Sequence, residues 1–310
     1  MIALLAAGIC TPLGPHEIAR AAIRAGLSRA RQLDEGPLLG MGEDAHPPVG
    51  HQVLSSGEAA TRHAGLLELA WAELAVEATP DLALLCTALG DPRRHPPDAA
   101  TAIATPGSFR SRMLALGHAG PAAALAEAEQ AIAAGARRVL VGAVETRLDP
   151  SSLAWLAHDG RLRGPETPDG LQPGEGAAWW LLGPAESHDA LALVGARHHP
   201  GDGRLSPVVL AERLRALTAG TASAHWIDLT GEPWRARAWG TLLPHLPVRP
   251  EIAHPDHWGD LGAAAALCAA TCAVQGGGTV WSLGEDGAVG LIEVQAYGGA
   301  TPAGSSRPSG

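Results

Sequence analysis

The sequence predicts an α/β protein built from two similar layered halves, and three observations lead there. Its apolar segments come in two textures that alternate along the chain. The order of those textures repeats, once over residues 1–187 and again, in shorter form, over 188–297. A chain of 310 residues, 46% apolar and 17% charged, also has the length and balance to bury a large core.

The first texture is short and continuous, as in strands covered on both faces. It occurs at Ile2–Ala7, Asp81–Leu85, Arg138–Val144, Ala177–Leu182, Ala190–Val194, Trp226–Leu229, Thr279–Leu283 and Gly290–Val294. The second carries helical spacing, at Glu17–Ala25, Ala59–Ala75, Pro121–Ala134, Pro207–Leu217, Pro233–Leu246 and Leu261–Val274. Pro121 and Pro207 stand where a first helical turn accepts proline, and Gly135 follows its helix as a C-cap does. Strands alternating with helices predict a largely parallel buried sheet. Each half is expected to end in a strand pair split by a Gly-containing turn, giving five layers in all. Residues 298–310 are rich in Gly, Ser and Pro and are expected to be a disordered tail.

Composition excludes several function classes. Net charge is −10 with no basic run, which argues against a nucleic-acid partner. The apolar stretches are too short and too interrupted to span a bilayer. Met1 leads into a strand-like run without a basic n-region, so no signal peptide is expected. Cys10, Cys86, Cys268 and Cys272 show no disulfide-framework spacing, and a reduced cytoplasmic setting fits. The chain has no Lys at all, so it can form neither a Schiff base nor a lysine ion pair.

Four segments resemble the β-ketoacyl synthases of the thiolase-like superfamily. They are Ala6–Gly14 (AAGICTPLG), 131–145 (AIAAGARRVLVGAVE), the PGEGA turn and following strand within 168–183, and Ser282–Val294 (SLGEDGAVGLIEV). They stand in family order from residue 6 to 294, in a chain shorter than a typical synthase, with losses before residue 118 and in the loops of the second half. The resemblance implies a thiolase-like fold of two βαβαβαββ halves, and a dimer formed through a strand near the nucleophile helix. The blocks are carried by glycines, whose survival reports on backbone geometry and not on activity.

The family's chemistry needs a Cys at a buried helix N-terminus, two His and a Lys. Counting back from Gly135 places His118 at the nucleophile position, and no Cys lies between Cys86 and Cys268. Thr230 stands where the first His is expected. Gly259 or Asp260, depending on register, stands where the second His is expected, and the Lys is missing. These four residues read as vestigial active-site positions, and no residue is assigned a catalytic role.

An imidazole at a helix N-terminus can act as a base or nucleophile, so acyl-thioester chemistry using His118 is the enzymatic alternative, with His254 and His257 on the opposing loop. His254 and His257 with Asp256 and Asp260, and Cys268 with Cys272, hold potential metal ligands but lack a second pair at usual spacing, and no metal or cofactor is expected. His198 and His199 are placed in a solvated loop. Among nine Trp, Trp179 and Trp180 must point to opposite sheet faces. Trp234 and Trp239 beside Arg235 and Arg237 have an interface composition, against which ordinary burial is the simpler account. The expected role is a catalytically inactive synthase-like subunit, scaffold or adaptor. Its expected partners are a second copy, a synthase-like protein, acyl carrier protein or an effector protein; an accessory, chaperone-like role in a secretion-effector locus is the third reading.

Overall fold

The computed structural model describes residues 1–41, 43, 45–55, 57–74, 79–88, 111–217, 224–246 and 251–296. The expected tail, 298–310, lies outside them. The first half supplies β1 (Ile2–Cys10), α1 (His16–Arg24), β2 (Arg31–Gln32), β3 (Val49–Gly50), α2 (Ala59–Leu74), β4 (Leu82–Cys86) and β5 (Ser111–Leu114). It continues with α3 (Gly120–Ala133), β6 (Val139–Thr146), α4 (Pro150–His158) and β7 (Glu175–Gly183). The second supplies β8 (Ala192–His199), α5 (Pro207–Leu217), β9 (His225–Ile227), α6 (Pro233–Leu242), β10 (Glu251–Ala253) and α7 (Pro255–Trp258). It ends with α8 (Ala265–Ala273), β11 (Gly278–Leu283) and β12 (Val289–Ala296). The boundary expected at 187/188 lies in the connection between β7 and β8.

The strand order makes the repeat explicit. Ten strands join as β10-β9-β11-β12-β8-β1-β7-β6-β4-β5, so reading outward from the β1–β8 junction gives the same sequence of elements on each side. Strands β1 and β8 meet through three residue pairs, Ile2 with Val194 to Leu4 with Ala192. The sheet is mixed, which corrects the expectation of a largely parallel one. Pairings β4–β5, β4–β6, β9–β10 and β9–β11 are parallel, whereas β1 and β7 in one half, and β8 and β12 in the other, run antiparallel to their neighbours. The last strand of each half returns beside β6 or β11 and reverses direction there. In the second half the reversal is a short turn at 284–288, as expected; in the first half α4 and a long segment intervene.

Five layers result. Helix α2 covers β1, β6 and β7 on one outside; on the other, α5 covers β8 and β12, and α6 packs on α5 in one apolar cluster with β9, β11 and β12. Helix α3 touches β4 and β6 of its own half and β8 and β12 of the other; α8 touches β11 and β12 and, across, β1 and β7. Both helices are therefore the filling between two half-sheets. Every residue of α8 is buried, and its sequence, AALCAATCA, is made of side chains small enough to let two sheets approach. Cys268 and Cys272 belong to this filling as buried free thiols. Trp179 and Trp180 enter different layers, as the strand period requires. Trp179 faces α2 and donates from Nε1 to the Leu67 carbonyl at 3.2 Å, while Trp180 faces the inner layer and donates to Thr271 Oγ1 at 2.7 Å. Gly142 lies inside β6, not at a strand end, and a Cβ there would fall 2.2 Å from the Trp179 ring. His198 and His199 are the last residues of β8 and not a loop.

The PGEGA turn is tied down by its acid. The buried Glu175 accepts from the Val53 and Leu54 amides at 2.7 Å each, from Arg62 Nε and Nη2 at 2.9 and 3.0 Å, and from Thr146 Oγ1 at 3.0 Å. One carboxylate thus joins α2, β6, β7 and the segment before α2. Removing its charge leaves Arg62, itself buried, unpaired. Glu175→Gln is expected to cost about 3–5 kcal/mol of stability, read as a lower urea midpoint at unchanged slope.

Candidate functional site

Two tight turns meet where the half-sheets face each other. A 3₁₀ turn at Gly117–Ala119 feeds α3, and a second at Gly262–Ala264 feeds α8; the two are in contact. Each turn holds a glycine with positive φ, Gly117 at +55° and Gly262 at +52°. Gly262 is required twice over, because a Cβ on it would sit 2.4 Å from Glu145 Cγ.

His118 stands at the start of α3, 2% exposed. Its Nε2 is 2.7 Å from Asp260 Oδ1. Arg235 Nη2 lies 3.4 and 3.3 Å from its two ring nitrogens, and so crosses the ring. Asp260 is held from all sides. Oδ1 also accepts from the Gly262 amide at 2.9 Å, Oδ2 pairs with Arg147 Nε at 2.9 Å, and its backbone bonds to Gln172 and Gly174 of the PGEGA segment. Burial by itself would raise the Asp260 carboxyl, but the charges of Arg147 and His118 outweigh it and hold it well below the usual carboxylate range.

The pairing extends outward. Arg235 Nη1 donates to Asp228 Oδ2 at 2.5 Å and its Nε to Glu232 Oε2 at 3.2 Å. Arg161 Nε donates to Glu232 Oε1 at 2.7 Å and its Nη1 and Nη2 to Glu285 at 3.1 and 3.0 Å. Arg147 Nη2 closes the circuit on Glu285 Oε1 at 2.9 Å. Burial again opposes ionisation of Glu285, yet Arg147 and Arg161 push its carboxyl far down. Asp228 differs: burial is the larger influence and raises it, although Arg235, the Leu283 amide and Trp239 Nε1 all donate to it. The site is thus a closed ion network in which three arginines face four carboxylates and one imidazole.

The other sequence-predicted residues fall as follows. Thr230 lies at the network's edge, its Oγ1 donating to Glu232 at 3.3 Å. Gly259, with φ +75°, backs onto the His51 ring and the Gln172 and Pro173 carbonyls, while Asp260 projects toward His118. His254 is buried beside the network, its Nδ1 accepting from Trp258 Nε1 at 3.4 Å, and burial pushes it down to about 3. His257 faces away, 2.9 Å from the Leu27 carbonyl. Among the described residues no group of three or more His, Cys, Asp or Glu could hold a metal ion.

Sequence reasoning missed the arginines. Of Trp234, Arg235, Arg237 and Trp239, weighed as an interface against ordinary burial, Arg235 is fully buried, Trp239 is 1% exposed, Trp234 is half-buried and Arg237 is exposed, so burial is the account that holds for Arg235 and Trp239. The period of α6 carries the signal: residues 235, 238, 239 and 242 form its buried face. A thiol was missed as well. Cys86 ends β4, and its Sγ would lie 3.7 Å from a Cβ on Gly120, the first residue of α3. It is fully buried, and burial pushes it up out of the thiolate range at neutral pH.

No protein-family model and no curated protein matches the sequence. Solved structures do match in fold. The ishigamide ketosynthase/chain length factor aligns at 18% identity and TM-score 0.67, over 96% of this chain and 99% of that one. The AntDE:AntF complex, a type II polyketide acyl-carrier protein with its ketosynthase bound to the hexaketide, aligns at 14% identity and TM-score 0.72, with the same coverage. The PfaC ketosynthase-chain length factor aligns at 13% identity and TM-score 0.71, over 96% of this chain and 43% of that one. At these identities the likeness is one of fold, and the fold is thiolase-like.

Asp260 and Glu285 have folded-state pKa values below the unfolded carboxylate values of about 4. The native state therefore binds fewer protons than the unfolded one, and their contribution is complete above that range and is lost as pH falls through the folded values. The urea midpoint is expected to drop below pH ~4. Asp260→Asn should be less stable at pH 7 by about 3–5 kcal/mol and show a shallower acid decline, checked by urea denaturation across pH.

Proposed function

We propose that this chain, with the thiolase-like fold of ketosynthases, is catalytically inactive and acts by binding another protein. The condition of His118 carries the reading. Condensation on this fold needs a nucleophile open to an acyl thioester and donors aimed at the developing oxyanion. Here both imidazole nitrogens are engaged inside a buried ion network. Freeing either one means breaking a charge-assisted contact inside the buried network, to Asp260, which stays paired with Arg147, or to Arg235, which stays paired with Asp228 and Glu232.

His118, Thr230 and the Gly259–Asp260 pair are the vestigial active-site positions in this reading. None of the last three offers an imidazole, and no Lys exists in the chain. Buried carboxylates and guanidiniums occupy the space instead. A carboxylate beside an oxyanion repels it, so the charge pattern opposes the transition state as well as lacking the means to reach it. Cys86, the nearby thiol, lacks both exposure and ionisation.

The proposed partner is a synthase-like subunit, a second copy of this chain or an acyl carrier protein. Two of the similar structures are ketosynthase/chain length factor proteins and one is a complex with acyl-carrier protein, which supports this choice. The position of β5 supports it too. Among the described residues it is one of the two end strands of the ten, β10 being the other, and it is the one that lies directly before the His118 turn. An end strand is where a two-fold partner can continue a sheet.

Incubation with malonyl and acyl thioesters is expected to leave the intact mass unchanged and to give no condensation product. His118→Cys should not rescue turnover, because Thr230 and Asp260 remain. A stable acyl adduct, on residue 118 or on Cys86, or a turnover abolished by His118→Ala, would sink the inactive reading. Sedimentation is expected to show a dimer, or a complex with a synthase-like protein encoded nearby. A monomer both alone and with those neighbours counts against the partner.

A further inference from the structure

The outer side of the ion network is the floor of a cavity of about 450 Å³, formed where α6 begins and where the segments after α4 and between β11 and β12 come together. Its size is that of a small-molecule site. Its walls are of two kinds. Trp234 and Leu205 supply apolar surface, and the Arg235 guanidinium is stacked on the Trp234 ring, centred 4.5 Å away. Four carboxylates supply the rest: Glu232 and Glu285 at the floor, Glu166 and Asp169 exposed at the mouth.

One cation, Arg161, lines the same cavity, and it is already spent. It is divided between Glu232 and Glu285, and its guanidinium carbon lies 4.8 Å from the Trp155 ring centre. The mouth acids Glu166 and Asp169 have no ion-pair partner among the described residues. The floor acids stay ionised because arginines stand behind them. The cavity therefore carries an excess of negative charge between low-dielectric walls, where the field of such groups is concentrated. An anion entering it meets four carboxylates against the one guanidinium of Arg161, which already pairs with two of them. A neutral apolar molecule gains the Trp234 and Leu205 contacts alone.

We propose that this cavity binds a small organic cation, a protonated amine or guanidinium carried on an apolar body. The charged end lies among Glu166, Asp169 and the floor carboxylates, and the apolar body lies on Trp234 and Leu205. The site is separate from the partner reading, since no acyl chemistry and no second protein is needed for it. The two fail separately: an acyl adduct would overturn the inactive reading and leave the cation site untouched.

Calorimetric titration of the purified chain with 2-phenylethylammonium tests it, beside the neutral 2-phenylethanol and the anionic 3-phenylpropionate. The ammonium is expected to bind at least about tenfold more tightly than the alcohol, and to weaken as salt is raised. The double variant Glu166→Gln, Asp169→Asn, altered only at exposed positions, is expected to weaken it by about three- to tenfold. Leu205→Trp, which fills the cavity, is expected to abolish binding while the melting curve stays two-state. Binding of the alcohol as tight as the ammonium, tighter binding of the carboxylate, binding retained in Leu205→Trp, or no heat at ~10 mM ammonium would each overturn the proposal.

Discussion

Charge taken out of water has to be matched by charge, and Asp260 is where this molecule meets that requirement. Its carboxylate receives Arg147, His118 and the Gly262 amide, and its backbone is bonded to Gln172 and Gly174. Those five partners belong to the end of β6, the turn before α3, the turn before α8 and the segment leading into β7. The two central helices are thereby fixed at the ends where they meet. An apolar filling alone specifies how much volume lies between two sheets, but not which helix end faces which.

Two buried acids share the work of joining layers. Glu175 ties the outer helix α2 to the sheet through Arg62, and Asp260 ties the inner turns together. They sit at opposite ends of one stretch, because β7 begins at Glu175 just after the residues that bond to Asp260. This gives the PGEGA turn a physical reason for its shape. The chain must come close enough to be strapped to residue 260 on one side and to bury a carboxylate on the other. That approach leaves no room for side chains at Gly174 and Gly176, whose Cβ atoms would fall 2.4 Å from the Trp258 carbonyl and 2.8 Å from the Cys10 carbonyl.

The ion pairs of the centre are shared among few side chains. Each of the three arginines is shared between two carboxylates. Arg235 satisfies His118, Asp228 and Glu232 at once, and Arg161 and Arg147 share Glu285.

Much of this was legible from the chain alone. Period-two and continuous apolar runs located eight of the strands, because burial on both faces leaves a mark that does not depend on what lies across the gap. The opposite facing of Trp179 and Trp180 followed from pleat geometry. Short edge strands such as β5 and β10 were not legible, since three or four residues carry too little pattern unless, as at β9, a longer apolar run continues past them. Nor was the mixed sheet, because strand direction depends on how connections return. The arginine network stayed hidden for a deeper reason. Arg147, Arg161 and Arg235 are far apart in sequence and read locally as surface charge. Their burial is favourable only once Asp260, Glu232, Glu285 and Asp228 arrive from other elements to pair with them, and that meeting is decided by the tertiary structure.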